Sequence, residues 1–248
     1  MGSDQSDQAT EVVVARHQGW ASVTLNRPAR RNALTGPMVD QLADAVRQLG
    51  ADSDIAAIVL RGAEGAFCSG IDLKELQAKP QHDWVRGFSA STRQLHLALY
   101  RCPVPVVGAL EGYGINAGTA LALACDLLIA GESSFLQIGE IQQGAPIPMN
   151  AAWMRLKVSE SVLARLAFYA DRVGATRLYE LGIVHEVVGD DDVRSVAEQQ
   201  AAKLASYPVG GSRQIKSAIL AQRQIDPETW FPQPGTNRAL LDASQVKA

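Results

Sequence analysis

The sequence predicts an α/β fold in which strand–strand–helix units stack into a coil of sheets, followed by a mostly helical C-terminal part. Short strand patterns and continuous apolar runs alternate with helical patterns over the first half of the chain. From about residue 151 onward helical periodicity dominates. Such strand–strand–helix units suggest a coiled stack of sheets rather than a doubly wound fold. No G-x-G-x-x-G pattern follows the first strand, so no dinucleotide site is predicted.

The first unit contains two strands, a helix and a buried strand. Residues 11–16 and 21–26 are strand patterns, and the second alternates apolar and polar side chains with period two. Thr35 is placed to cap a helix whose apolar positions recur at helical spacing as far as Gly50, which is expected to end it. The apolar run 55–60 then predicts a buried strand of a mostly parallel sheet.

A second unit follows the first. A leucine-rich helical pattern leads to a buried strand over residues 104–110, with Pro105 near its start, where proline is tolerated. A glycine-bearing turn at 112–118 then opens a helix over 119–125 and a strand over 126–130.

The rest of the chain is predicted to be mainly helical, with one last short strand over residues 183–188. The apolar faces of these later helices have little left within the chain to pack against, which indicates an oligomer contact. The helices are expected over residues 151–156, 159–170, 175–181, 193–206 and 212–223.

The composition is that of an ordinary globular chain of 248 residues, with 47% hydrophobic residues, 20% charged residues and a formal net charge of −3. This charge gives no electrostatic case for binding nucleic acid or an anionic membrane. The longest apolar stretch, residues 117–130, contains Asp126 and is shorter than the roughly 20 residues of a membrane helix. Residues 1–10 are polar and are expected to be a disordered lead-in, and a reducing cytoplasm is the expected location.

The three cysteines argue against a disulfide framework and against a zinc site, because their number is odd and no two are close in sequence. Cys102 and Cys125 lie in apolar runs and are expected in the core. Cys68 has no histidine or cationic neighbour in sequence that would lower its pKa, so a nucleophilic role is not expected. No metal site is predicted.

Two glycine-bearing turns carry the functional argument. The first spans residues 67–75 and the second residues 112–120, and each lies where an apolar run gives way to a helical pattern. Such turns can aim main-chain N–H groups at one point. Two donors aimed at one carbonyl oxygen form an oxyanion hole, which is often the largest electrostatic contribution to acyl or enolate chemistry.

The two turns resemble those of the crotonase family, the enoyl-CoA hydratases and isomerases. The resemblance extends over about residues 11–220 and includes Asn26-Arg27-Pro28 and Arg31-Asn32-Ala33-Leu34. It implies a crotonase (ClpP-like) fold, with a spiral of ββα units over residues 11–190 that binds acyl-CoA and a C-terminal helical oligomerisation region over 191–248. It also implies an acyl-CoA thioester as substrate, a homotrimer or hexamer, and no cofactor other than the coenzyme A of the substrate itself.

The resemblance assigns the two oxyanion donors to main-chain groups, the N–H of Ile71 and the N–H of Ala117. It places Arg31 near the phosphates of the coenzyme, to which a guanidinium group is suited, and gives the main chain of Ala33 contacts to the adenine. Lys216 resembles a lysine of the C-terminal helix that reaches these phosphates, including across subunits. The implied acyl-CoA-binding set is Arg31, Ala33, Ser69, Gly70, Ile71, Asp72, Leu73, Tyr113, Ala117, Gly118 and Lys216.

The acid–base residues depart from the hydratase pattern. A hydratase of this family uses two glutamates, and by resemblance the first falls on Ala120, which cannot titrate, and the second on Glu140. One carboxylate suffices for an isomerase, in which Glu140 would move a proton between two carbons of a thioester. The apolar pocket that would raise the pKa of this base toward neutral is expected from Ile138, Ile141, Ile147 and Met149.

Three alternatives stay open. A hydratase would draw its missing second carboxylate from elsewhere, and Glu111 is the nearest candidate in sequence. A non-catalytic acyl-CoA-binding protein would keep the turns without the chemistry, which Ala120 and the unusual segment 146–150 both suggest. A thioester hydrolase or decarboxylase on the same scaffold is the third. His82 and His96 are expected on the surface or on a helix face.

Overall fold

The computed structural model describes residues 10–231 and residue 233, and within this part of the chain the strands form two sheets. The sheets together contain nine described strands. These are β1 (Val12–Arg16), β2 (Trp20–Leu25), β3 (Ala57–Gly62), β4 (Val106–Leu110), β5 (Tyr113–Ile115), β6 (Leu127–Gly131), β7 (Phe135–Gln137), β8 (Val173–Gly174) and β9 (Glu186–Val188).

The larger sheet has the strand order β1-β2-β3-β4-β6-β9. β1 pairs antiparallel with β2, and each further pair is parallel. In this register Val59 of β3 lies between Ser22 of β2 and Val107 of β4. The smaller sheet has the order β5-β7-β8, with β5 and β7 parallel and β8 antiparallel to β7. The predicted α/β arrangement with a mostly parallel sheet is confirmed.

The predicted helices are present, with ends that differ by a few residues at most. Thr35 caps the first helix as expected, because its Oγ1 accepts a hydrogen bond from the N–H of Met38 at 3.2 Å. No helix among the described residues combines the length and apolar character needed to span a bilayer. The helices are α1 (Gly36–Ala51), α2 (Leu73–Leu76), α3 (Phe88–Arg101), α4 (Ala117–Ala124), α5 (Pro148–Met154), α6 (Glu160–Tyr169), α7 (Ala175–Glu180), α8 (Val193–Ala205), α9 (Gly211–Gln222) and α10 (Pro227–Trp230).

The larger sheet is covered on both faces, which explains its continuous apolar strands. Alternate side chains of β3 point to opposite sides, so Ile58 and Leu60 join the main core with α1, α3 and α4. Val59 instead packs in a second cluster with Val193 and Ala197 of α8. The expectation that the later helices have little to cover within the chain is therefore wrong for α8.

Several predicted boundaries are wrong for local reasons. Gly50 does not end α1, which runs on to Ala51. The strand expected over residues 183–188 begins only at Glu186, because the N–H groups of Ile183 and Val184 both bond the carbonyl oxygen of Leu178 at the end of α7. The short strands β5, β7 and β8 were not predicted.

Residues 1–9, 232 and 234–248 lie outside the described residues. They include most of the predicted lead-in and the end of the predicted oligomerisation region. The division of the chain at residue 190 therefore stays a prediction.

Candidate active site

The first glycine-bearing turn runs between two neighbouring segments. On one side the N–H of Cys68 bonds the oxygen of Tyr113 at 3.1 Å, and the oxygen of Cys68 accepts from Ile115 at 3.0 Å. On the other side the N–H of Leu34 donates to the oxygen of Gly70, and the oxygen of Leu34 accepts from the N–H of Asp72. Because successive N–H groups of an extended chain point to opposite edges, this pairing turns the N–H of Ile71 away from Leu34.

The second turn places another free N–H at the start of a helix. Ala117 is the first residue of α4, where the N–H has no acceptor within the helix. Asn116 before it has φ 53° and ψ −113°, a positive-φ conformation outside the αL region. Among the described residues, neither the N–H of Ile71 nor that of Ala117 donates a hydrogen bond.

Two glycines allow the turns to approach each other closely. Gly70 has φ 95°, and a Cβ there would lie 2.9 Å from the oxygen of Ile115 and 3.8 Å from the nitrogen of Ala117. A Cβ on Gly118 would overlap the carbonyl oxygen of Cys68. The backbones of the two turns are therefore in direct contact, with both free N–H groups in this region.

Glu140 supplies a buried carboxyl beside the second turn. It opens a short 3-10 turn after β7 and is 9% exposed. Its Oε1 accepts a hydrogen bond from Nδ2 of Asn150 at 2.8 Å, whereas its Oε2 is buried without a hydrogen-bond partner among the described residues. Burial raises the pKa of Glu140 to about 7, against the lowering effect of its own N–H and of Asn150.

Hydrogen bonds connect this carboxyl to the second turn. Nδ2 of Asn150 also donates to the main-chain oxygen of Asn116 at 3.1 Å. Oδ1 of Asn116 accepts a hydrogen bond from the N–H of Gly139 at 2.8 Å. The main-chain N–H of Asn116 donates to the oxygen of Gln137, also at 2.8 Å. The segment that carries Glu140 is thus fixed relative to the N–H of Ala117.

The apolar surroundings of Glu140 differ in part from the prediction. Ile138 is buried, and Ile147 and Met149 are partly buried against the main core. Ile141 is 50% exposed, so its predicted place in an apolar pocket is wrong. Ala120 is buried in α4 and provides no second carboxylate.

Asp72, which the resemblance places on the substrate, has a structural role in this arrangement. Its side chain caps α2 by accepting from the N–H of Glu75, and it forms ion pairs with Arg27 at 3.2 Å and Arg30 at 2.8 Å. Burial alone would raise the pKa of Asp72, but these two arginines and the N–H of Glu75 together hold it below its ordinary value. The buried carboxylate therefore holds the first turn against Arg27 and Arg30 and against the start of α2.

The other residues assigned to the coenzyme lie around the first turn. Arg31 is exposed, and its guanidinium group has no ion pair among the described residues. Both main-chain groups of Ala33 are already used, the oxygen by Arg27 and the N–H by Arg30. The N–H of Ser69 bonds the oxygen of Arg31. Leu73 begins α2, and the ring of Tyr113 stacks on Phe135 at 5.4 Å between centroids.

Lys216 is not exposed within one chain, and its assignment to the coenzyme phosphates, including across subunits, stays a prediction. Its side chain is 3% exposed and its ammonium group pairs with Asp126. Asp126 also accepts from the N–H of Val106 at 2.8 Å, so it anchors the start of β4. A buried, paired ammonium group is not available to a phosphate on the surface of the same chain.

Other titratable candidates are also placed by the structure. His96 lies on helix α3, one of the two expected places, but its side chain is buried: its Nδ1 accepts from Trp153 at 2.9 Å, and burial lowers its pKa to about 3. Burial raises the pKa of the Cys68 thiol to about 12, which disfavours a nucleophile as predicted. Glu111 is half-buried, and burial raises its pKa, with Arg61 among the charges that act on it.

Two functional candidates were missed by the sequence reasoning, Asn116 and Asn150. Asn116 carries a partial signal, because asparagine is a common residue of turns and it lies within a glycine-rich turn. Asn150 carries none, since its partners Glu140 and Asn116 are brought to it only by the fold.

Comparisons with known proteins show the family to which this chain is similar. A family model described as enoyl-CoA hydratase/isomerase matches residues 15–231. The chain is 29% identical to the 2,3-dehydroadipyl-CoA hydratase of Escherichia coli (strain K12), over 95% of this chain and 92% of that protein. It is 31% identical to the 1,2-epoxyphenylacetyl-CoA isomerase of the same strain, over 82% of this chain and 79% of that protein.

A solved structure shows the same fold. It is a Thermobifida fusca YX protein assigned to the enoyl-CoA hydratases and crystallised in complex with CoA, with a TM-score of 0.78 and 26% identity over 89% of this chain and 88% of that one. The shared fold and the match to the family model over most of the chain agree. This chain belongs to the enoyl-CoA hydratase/isomerase family and has its crotonase fold.

Proposed function

We propose that this chain enolises an acyl-CoA thioester and moves a proton in the manner of an enoyl-CoA isomerase. The N–H groups of Ile71 and Ala117 bind the carbonyl oxygen, and Glu140 is the base. The observation that carries the proposal is the carboxyl of Glu140, which is buried, has a pKa raised to about 7 and keeps Oε2 free of partners among the described residues. A base works best when its pKa lies near the operating pH.

In the proposed reaction a 3-enoyl-CoA places its thioester oxygen at the two N–H groups. Oε2 of Glu140 takes a proton from carbon 2, and the electron pair of that bond moves into an enolate whose charge rests on the thioester oxygen. The carboxylic acid then returns the proton to carbon 4. The double bond thereby moves from carbons 3 and 4 to carbons 2 and 3. The step conserves all atoms and transfers no net electrons, so it calls for no redox partner.

Two placements favour isomerase-like chemistry over hydration. Ala120 is buried and leaves the position of the second hydratase glutamate without a carboxylate. The charges that act on Glu111 belong to Arg61 of β3 and to Arg194 and Glu198 of α8, on the opposite side of the larger sheet from the main core. Glu111 is thus poorly placed to share a water molecule with Glu140.

The ligand and the assembly are proposed on related grounds. The guanidinium group of Arg31 forms no ion pair with the described residues, and it suits the phosphates of coenzyme A. The Thermobifida relative was crystallised with CoA. A homotrimer or hexamer would cover the aromatic side chains of Phe168, Tyr169 and Tyr179, which are more than half exposed in one chain.

Hydrogen–deuterium exchange at carbon 2 of a saturated acyl-CoA in D₂O tests the proposal. We expect exchange by the wild type, and a fall of about a hundredfold or more in Glu140→Gln, the typical contribution of a general base. Glu132→Gln is the matched control, because it makes the same change at an exposed site. Exchange that persists in Glu140→Gln would remove Glu140 as the base. A wild type that binds acyl-CoA tightly without exchange would favour a non-catalytic binding protein.

A further inference from the structure

We infer that Asn150 is a positioning residue for Glu140, holding Oε1 so that Oε2 is the oxygen that exchanges protons with the substrate. The inference rests on the proposed function, in which Glu140 is the base. Nδ2 of Asn150 donates to Oε1 of Glu140 at 2.8 Å and to the main-chain oxygen of Asn116 at 3.1 Å. One carboxamide therefore bridges the base and the turn that presents the N–H of Ala117.

This bridge fixes the two reacting parts of the site to each other. The main-chain oxygen that Asn150 binds belongs to the residue directly before Ala117. Asn116 adds a second connection, since its Oδ1 accepts from the N–H of Gly139, the residue directly before Glu140. A base and an oxyanion donor must be held at a fixed separation, because a displacement of about 1 Å can cost about a hundredfold in rate.

The location of Asn150 shows that its role is more than filling space. Its side chain is 2% exposed, and its Oδ1 is buried without a hydrogen-bond partner among the described residues. A buried polar atom without a partner is unfavourable for folding, so Oδ1 gives no reason for an amide at this position. The amide at this position is explained by what Nδ2 holds.

Asn150 is also the main polar side chain that acts on the charge of Glu140. Burial raises the pKa of this carboxyl, and the hydrogen bond from Asn150 opposes the rise. Helices α4 and α5 carry no charged residue. Helix α6, which packs against the turn of Glu140, carries Glu160 and Arg165, and both are exposed.

The test compares Asn150→Leu and Asn150→Ala with the wild type. The exchange rate of the wild type should rise with pH through a midpoint near the pKa of Glu140. Both variants remove the donor that stabilises the carboxylate, so we expect the midpoint to move up by about one to two pH units, the size of a lost hydrogen bond to a charged group. The limiting rate at high pH should fall about tenfold or more, with affinity for CoA unchanged.

Gln142→Leu is the matched control, since it makes the same amide-to-leucine change at an exposed site two residues from Glu140. We expect its midpoint and limiting rate to equal those of the wild type. If a folded Asn150 variant keeps the wild-type midpoint, Asn150 only fills space and the inference is overturned.

A second readout separates this inference from the proposed function. The carboxyl carbon of Glu140 can be titrated by NMR in the protein without ligand, with the resonance assigned from its loss in Glu140→Gln. We expect the same upward movement of its midpoint in both Asn150 variants. If the wild type fails to exchange protons, the proposed function fails, yet this titration still decides whether Asn150 controls the carboxyl. An unchanged titration overturns the inference.

Discussion

The buried carboxyl of Glu140 should make the protein less stable as pH rises, and Glu140→Gln should remove that dependence. The pKa of Glu140 is raised from an ordinary value of 4.5 to about 7 by burial. Between these two values the folded protein holds a proton that the unfolded chain releases, so the free energy of unfolding falls with rising pH. The free energy of unfolding reaches its full decrease above about pH 7.

The magnitude follows from the difference between the two pKa values. At roughly 1.4 kcal/mol per pKa unit, raising the pKa from 4.5 to about 7 corresponds to about 3 kcal/mol. The carboxyl is 9% exposed, so little of this is lost to screening by solvent. Glutamine is neutral at every pH and keeps an oxygen that can accept from Asn150. We therefore expect Glu140→Gln to gain about 3 kcal/mol relative to the wild type between pH 4 and pH 8.

Urea unfolding of both proteins at pH 4, 6 and 8 measures this difference. Comparing the variant with the wild type at each pH removes the contribution of every other titrating group. Glu132→Gln, at an exposed site, controls for the loss of one carboxylate. The reasoning is refuted if the difference between Glu140→Gln and the wild type is the same at pH 4 and pH 8.

Two further variants test the packing around the site. Lys216→Met leaves Asp126 without its buried partner, so we expect a loss of about 3 kcal/mol in the free energy of unfolding. We expect unchanged affinity for CoA, and weaker CoA binding measured by calorimetry would support a role of Lys216 in the coenzyme site. Gly118→Ala would push a Cβ into the carbonyl oxygen of Cys68 and separate the two turns. We expect it to cost about 1–3 kcal/mol in urea unfolding and to reduce proton exchange, and a variant as stable and active as the wild type would show that the turns need not touch.

Much of the fold could be predicted from the sequence because its signals are local. The apolar runs at 55–60 and 104–110 indicate strands covered on both faces, and β3 and β4 are found there between helices. Helical periodicity located the C-terminal helices to within a few residues. The short strands β5, β7 and β8 could not be predicted, since two or three residues carry too little pattern to distinguish a strand from a turn.

The candidate site divides in the same way. The turns around Ile71 and Ala117 were recognisable because glycine is needed where backbones approach closely, as at Gly118. The partners of charged side chains could not be predicted, because they depend on which residues the fold places opposite them. Lys216 meets Asp126 from 90 residues away, and nothing near it in sequence indicates that partner.

Asn150 shows the same limit for the acid–base chemistry. Its partners Glu140 and Asn116 come from two other segments, so only the folded chain reveals the bridge. Ile141 shows the converse error. It adjoins Glu140 in sequence, yet the 3-10 turn directs it to solvent, where it is 50% exposed.

The most direct test of the central claim is proton exchange at carbon 2 of an acyl-CoA in D₂O, measured for the wild type and Glu140→Gln under identical conditions. We predict exchange by the wild type that rises with pH through a midpoint near 7 and is lost in the variant. Equal exchange by both proteins would contradict Glu140 as the base. Tight binding of the thioester without any exchange would contradict enolisation itself.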